Sequence, residues 1–219
     1  MKLKINVLVA FAAFGVISIL PSCKKEQPTP KEVTPIMEKA LNDSTSIWYA
    51  DFKRFPKIDQ RAYLPIGVFD SGTGGLTVLE AVLGSDNVDN ISGEIKSDGI
   101  PDFSGEDFQY LADQANMPYG TYPKEGKEMY LRELAVKDAL FLLSDKYYEL
   151  SSDKVAKGNK AKCKIIVIAC NTATAYGLKD IETLLELSKT GVKVIGVINA
   201  GVNATFDDIK TPEAEILSQ

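Results

Sequence analysis

The sequence predicts an α/β fold: a parallel, doubly wound sheet flanked by helices. Three observations predict it. Ile165 to Ile168 are four consecutive branched apolar residues, the pattern of a strand buried on both faces. Three more short, largely apolar runs accompany it: Leu64 to Phe69, Phe108 to Ala112 and Val192 to Ile198. Helical periodicity separates successive runs, so the order strand–helix–strand–helix–strand–helix–strand calls for parallel strands joined by crossovers.

The chain opens with Lys2 and Lys4, followed by an apolar stretch from Ile5 to Leu20 that is short for a bilayer span. Leu20-Pro21-Ser22-Cys23 then sets a small residue before a cysteine. Residues 1–22 resemble a bacterial lipoprotein signal peptide, which implies lipidation of Cys23. Pro21 stands where a small residue is usual, and an uncleaved anchor is the alternative. Either reading expects a protein of the cell envelope, held to a membrane on its periplasmic or outer-membrane side.

Residues 23–63 read as a tether and N-terminal extension. Pro28, Pro30 and Pro35 among polar residues suit an extended spacer. Ile36, Met37, Ala40 and Leu41 have the spacing of a short amphipathic helix, and Trp48, Tyr49, Phe52 and Phe55 read as an aromatic pad packed on the domain.

The α/β domain is expected over residues 64–219. Its first strand runs into Asp70-Ser71-Gly72-Thr73-Gly74-Gly75, and Leu76 to Leu83 reads as a helix. Such a turn could cradle an anion on backbone N–H groups. It is not a dinucleotide fingerprint, because Thr77 stands at the third glycine position, and no Gly-Lys-Ser/Thr follows to make a phosphate loop. Residues 84–107, rich in Gly, Ser, Asp and Asn, predict a mobile surface loop. The strand at 108–112 ends in the turn-forming stretch 113–120, punctuated by Pro118 and Gly120. Helix periodicity then covers 124–150, and a polar loop covers 151–162. The strand at 165–168 ends in Cys170, Asn171 and Thr172, where a helix begins and runs to about Leu187. A thiol at a parallel strand's C-terminal end sits where open α/β sheets bind small ligands, and the adjoining helix start favours negative charge. A small buried cysteine beside a helix cap is the competing reading.

Composition limits the chemistry. The 219 residues are 45% hydrophobic and contain no histidine, which excludes a Ser-His or Cys-His pair and His-based metal sites within this chain. Removal of residues 1–22 leaves 23 basic against 30 acidic residues, a net charge of −7, with no electrostatic footprint for nucleic acid. Cys163 and Cys170, the other two cysteines, would stand roughly 23 Å apart along one strand, too far for a disulfide.

Four segments together resemble the bacterial glutamate racemases of the aspartate/glutamate racemase family. They are Ile66 to Leu76 around Asp-Ser-Gly-Thr-Gly-Gly, Asp113 to Gly120 ending in Pro-Tyr-Gly, Ile168 to Ala173 around Cys-Asn-Thr, and Val194 to Ile198. The resemblance covers residues 64–204. It implies one lobe of a two-lobe architecture in which two thiols face opposite sides of an amino acid's α-carbon and move its proton without a cofactor. Cys170 would be the base on one face. Asp70 and Ser71 would bind the ammonium or tune the thiol, Pro118, Tyr119 and Gly120 would shape the pocket, and Asn171 and Thr172 would hold the α-carboxylate.

Two departures accompany this. The family's second half carries another cysteine in a Gly-Cys-Thr-His context, and no such motif occurs before Gln219, which suggests a C-terminally truncated chain. Gln114 and Asn116 stand where the family more often has Thr and Arg. Three functions are therefore weighed: a racemase interconverting L- and D-glutamate, an inactive tethered lobe that binds glutamate or aspartate, and a structural lobe pairing with a partner chain. A lone lobe would expose an apolar wall, so association, for instance as a homo-oligomer, is expected.

Overall fold

The computed structural model describes residues 32–150, 152–153 and 155–201. The expected signal peptide and Cys23 lie outside these residues. Among those described, no helix is long and apolar enough to cross a membrane.

Four strands, β1 (Ile66–Asp70), β2 (Phe108–Ala112), β3 (Ile165–Ile168) and β4 (Lys193–Gly196), form one sheet in the order β2-β1-β3-β4. Every pairing is parallel, with Val68 opposite Tyr110 on one side and Val167 on the other. β1 is central and buried throughout. Helices α1 (Pro35–Asn42), α2 (Gly75–Leu83), α3 (Glu128–Leu143) and α4 (Asn171–Ser188) accompany it among the described residues.

The connections set the layers. From β1 the chain moves outward to β2, then crosses back over β1 to β3 and on to β4. Right-handed crossovers moving in opposite directions place their helices on opposite faces. The core divides accordingly. Ile66 and Val68 pack with Val78 and Leu79 of α2, whereas Phe69, Ile166 and Ile168 pack with α3 and α4. The sheet is thus parallel and doubly wound, as the four apolar runs predict.

The α3–α4 layer is the denser one. Leu131, Leu142, Ile181 and Leu184 are fully buried there, each burial contributing roughly 1.5–3 kcal/mol. The two helices touch where Gly177 meets Ala135, a contact with no room for a side chain at 177. Arg132 of α3 fastens the layer, donating to both carboxylate oxygens of Asp180 at 2.7 and 2.9 Å and to Glu32 at 2.7 Å. Ile36, Met37 and Ala40 of α1 join the same core with Ala50 and Phe55, and Trp48 and Phe52 pack half-buried against it. The aromatic pad thus lies on the domain. The α2 side is barer: Leu76 and Leu83 are each 47% exposed and Ile195 46%.

Several boundaries differ from the sequence expectation. β1 begins at Ile66, because Pro65 has no N–H for the ladder, and it takes in Asp70. α3 is shorter than 124–150. Gly126 at φ 68° ends a separate turn at Pro123–Glu125, and Ser144 is extended. β4 stops at Gly196 and the backbone is helical over 197–201. The loop at 84–107 is knit by aspartates accepting backbone N–H groups: Asp102 from Asn87 and Val88, Asp86 from Asp98 and Gly99, Asp89 from Ile91 and Ser92. These bonds hold the Asp102 and Asp89 carboxyls below the usual carboxylate range.

Candidate active site

In a doubly wound sheet the ligand crevice opens where adjacent strands send their chains to opposite faces. Here that point lies between β1, which leads into α2, and β3, which leads into α4. The residues at the two strand ends are Asp70-Ser71 and Ala169-Cys170.

Cys170 stands at the N-cap of α4, and its Sγ accepts the Ala173 N–H at 3.4 Å. Across the crevice its thiol donates to Ser71 Oγ at 3.5 Å. Cys170 as a whole is buried, at 7% exposed. Asp70, 6% exposed, accepts the Gly75 N–H at 2.9 Å and so caps the start of α2. Gly75 has no alternative here: a Cβ would lie 2.7 Å from Ala169 Cβ, 2.8 Å from Asp70 Cβ and 3.0 Å from the Tyr110 hydroxyl.

Tyr110 of β2 completes this corner. Its hydroxyl donates to the Gly72 carbonyl at 3.2 Å. Burial pushes the phenol's pKa up, and the nearby charges of Asp70 and Cys170 add to the shift. A neutral phenol is therefore kept beside an acid and a thiol. The sequence reading did not single out Tyr110. Its register opposite Val68, on the α2 face, is the signal that a topology would have supplied.

The loop after β2 forms the other wall. The Asp113 N–H continues the ladder onto the Asp70 carbonyl at 2.9 Å. Met117 lies against Gly72, and Gly120 faces Thr172, whose Oγ1 would be 3.8 Å from a Cβ at 120. Pro118 follows a cis peptide bond and is exposed, as are Gly120 and Asn171. Tyr119 differs from its neighbours. Its side chain is 1% exposed, and its hydroxyl lies between Asp113 at 2.6 Å and Asp138 at 2.7 Å.

Cys170 and Ser71 are thus in contact across the two strand ends, Asp70 precedes Ser71 and is turned to the start of α2, and Gly120 faces Thr172. Cys163 is at the opposite end of the β3 segment, fully buried, with its thiol donating to Gln109 Oε1 at 3.6 Å. Among the described residues, no group of three or more His, Cys, Asp or Glu side chains is placed to hold a metal ion. Gln114 is exposed, while Asn116 donates to both oxygens of Asp113 at 2.9 Å. Asp138 was also missed by the sequence reading: it follows Lys137 in the run from Leu134 to Leu143, and a Lys-Asp pair there reads as part of a solvated face, whereas Asp138 is buried.

No family model matches the chain. Among curated proteins it is 31% identical over 141 residues to the glutamate racemase of Corynebacterium diphtheriae, covering 64% of this chain and 39% of that protein. It is 33% identical over 153 residues to the glutamate racemase of Staphylococcus carnosus, covering 70% and 42%. With the glutamate racemase of Aquifex aeolicus it shares 30% over 154 residues, covering 70% and 44%. A crystal structure of glutamate racemase from Thermus thermophilus in complex with β-chloro-D-alanine is 27% identical, covering 62% of this chain and 36% of that one, at a TM-score of 0.29. The chain therefore has distant homology to glutamate racemases, and it spans less than half the length of the curated relatives it matches.

Proposed function

We propose that the chain carries the proton-abstracting lobe of a cofactor-independent amino-acid racemase of the glutamate type, with Cys170 as the base. The observation that supports this most is the thiol of Cys170, set 3.5 Å from Ser71 at the switch point of the sheet and at the start of α4. The homology to glutamate racemases over this part of the chain supports the substrate class.

The step is a proton transfer. The Cys170 thiolate takes the α-proton of a bound amino acid, the C–H electron pair passes onto the α-carboxylate, and the thiol results. A positioned base of this kind contributes about 10²–10⁴-fold. Ser71 and the Ala173 N–H steady negative charge on sulfur before transfer. Asp70 suits the substrate ammonium. Thr172, with the backbone at the start of α4, suits the α-carboxylate. Return of the proton to the same face exchanges it with solvent, whereas inversion needs a second acid on the far face, which Cys163 does not provide. The sequence around Cys23 supports a lipid-anchored location in the cell envelope.

The test is incubation of the chain in D2O with L- and D-glutamate and with aspartate, following α-proton loss by NMR and inversion by circular dichroism. Exchange that disappears in Cys170→Ser supports the reading. A chain that binds these amino acids without exchanging them is an inactive binding lobe, and one that neither binds nor exchanges them overturns both.

A further inference from the structure

The Tyr119 hydroxyl has two carboxylate oxygens within hydrogen-bond distance, Asp113 Oδ2 at 2.6 Å and Asp138 Oδ2 at 2.7 Å. A phenol carries one proton and can donate to only one of them. The second bond must then take its proton from a carboxyl group. Asp113 is half-buried and also accepts from the Asn116 amide at 2.9 Å on each oxygen, as suits an anion. Asp138 is 6% exposed on α3, with Leu134, Ala135 and Leu142 of the same helix in the core.

We infer that Asp138 is a positioning residue acting as the neutral acid: it donates to Tyr119, Tyr119 donates to Asp113, and this chain of two bonds fixes the loop carrying Pro118, Tyr119 and Gly120 against the start of α4. The assignment of the proton agrees with the surroundings. Burial pushes the Asp138 carboxyl well above the usual range. The charges of Asp113 at the end of β2 and Asp70 at the end of β1 push the same way, against the Tyr119 bond and Lys137 on α3. What the loop does for a substrate rests on the racemase reading, but the clamp itself does not.

The sign of the pH effect follows. An acid with a raised folded pKa contributes its stability fully below its unfolded value of 3.8 and loses it as pH climbs toward the folded value. Infrared spectroscopy and thermal unfolding of the 219-residue chain test this without any substrate. At neutral pH the chain should show the carbonyl stretch of a protonated carboxylic acid. That band should vanish in Asp138→Asn and remain in Asp113→Asn. Asp138→Asn, whose amide still donates to the phenol, should unfold at the wild-type temperature or above and lose the decline in stability that the wild-type chain shows as pH rises above the unfolded value of 3.8. Asp138→Ala and Tyr119→Phe should both be destabilised, and Tyr119→Phe should shift the acid band to the frequency of an unbonded acid. A wild-type chain with no such band at neutral pH overturns the inference, as does a band that survives Asp138→Asn or an Asp138→Asn variant as unstable as Asp138→Ala. Absence of α-proton exchange in every variant, with the band behaving as described, would count against the racemase reading alone.

Discussion

Cys170 Sγ and Ser71 Oγ stand 3.5 Å apart, one on each side of the crevice between β3 and β1. Neither residue reaches the other within its own loop. The contact exists because β1 and β3 pair in register, Phe69 opposite Ile168, and then send their chains to opposite faces. Cys170→Ser should abolish α-proton exchange, a loss of about 10²–10⁴-fold, because a hydroxyl at that place is too weak an acid to serve as the base. The fold should survive, since serine is a good N-cap for α4. Ser71→Ala should lower exchange less, leaving the Ala173 N–H on the sulfur. Exchange by the Cys170→Ser variant at the wild-type rate would remove the thiol from the mechanism.

Gly75 makes the second test. A Cβ there would press on Ala169 and Asp70 at 2.7 and 2.8 Å, both belonging to strand ends with little freedom. Gly75→Ala should therefore cost about 1–3 kcal/mol of overpacking strain in chemical denaturation. It should also weaken the Asp70 bond to the residue-75 N–H and reduce amino-acid binding. A stable variant with intact binding would show that the corner is looser than its contacts indicate.

Much of the frame was legible because burial on both faces writes itself into composition. Ile165 to Ile168 could hardly be anything but an inner strand, and the motif loops ending at Gly75, Gly120 and Thr172 fell at strand ends by order alone. What was not legible depends on which side of an element a residue takes. Tyr110 alternates with Leu111 in a short strand, and nothing local says which of them faces Asp70. Tyr119 sits in a motif that suggests a pocket wall, yet its hydroxyl is turned inward to an acid on α3, nineteen positions further along the chain. Element ends were misplaced where one residue's backbone decided them, as with Gly126 before α3.

The N-terminal sequence through Cys23 gives a prediction independent of the site. If Cys23 is lipidated, the chain expressed in a bacterium with its leader should partition into a detergent phase, and Cys23→Ser should return it to the aqueous phase. A single short acyl chain binds membranes only marginally, so firm partitioning would point to more than one chain on the cysteine. Aqueous behaviour of the unaltered chain, with residues 1–22 still attached, would argue against the lipoprotein reading.

Cys163 should be chemically silent. Burial pushes its thiol up to about 11, with Lys160 pulling modestly the other way. At a pH of about 8 only about one part in a thousand is thiolate, and the side chain is fully buried. Alkylation followed by peptide mass spectrometry should find Cys163 unmodified in the native chain and modified once it unfolds. Native labelling as fast as for a free cysteine would mean that the end of the sheet opens readily.

The α3–α4 layer supplies the last prediction. Asp180 is 4% exposed, and its two oxygens both rest on Arg132. Removing the arginine leaves a buried carboxylate without its cation, a change that costs about 3–5 kcal/mol where such pairs are broken from one side. Arg132→Ala should therefore unfold at markedly lower denaturant. Glu32 also meets Arg132, but its side chain is 63% exposed, so Glu32→Gln should change stability by less than about 1 kcal/mol. Because Asp180 is the costly member left behind, Asp180→Asn in the Arg132→Ala background should recover part of the loss. Equal losses in the single and double variants would place the energy in packing of the arginine stem rather than in the pair.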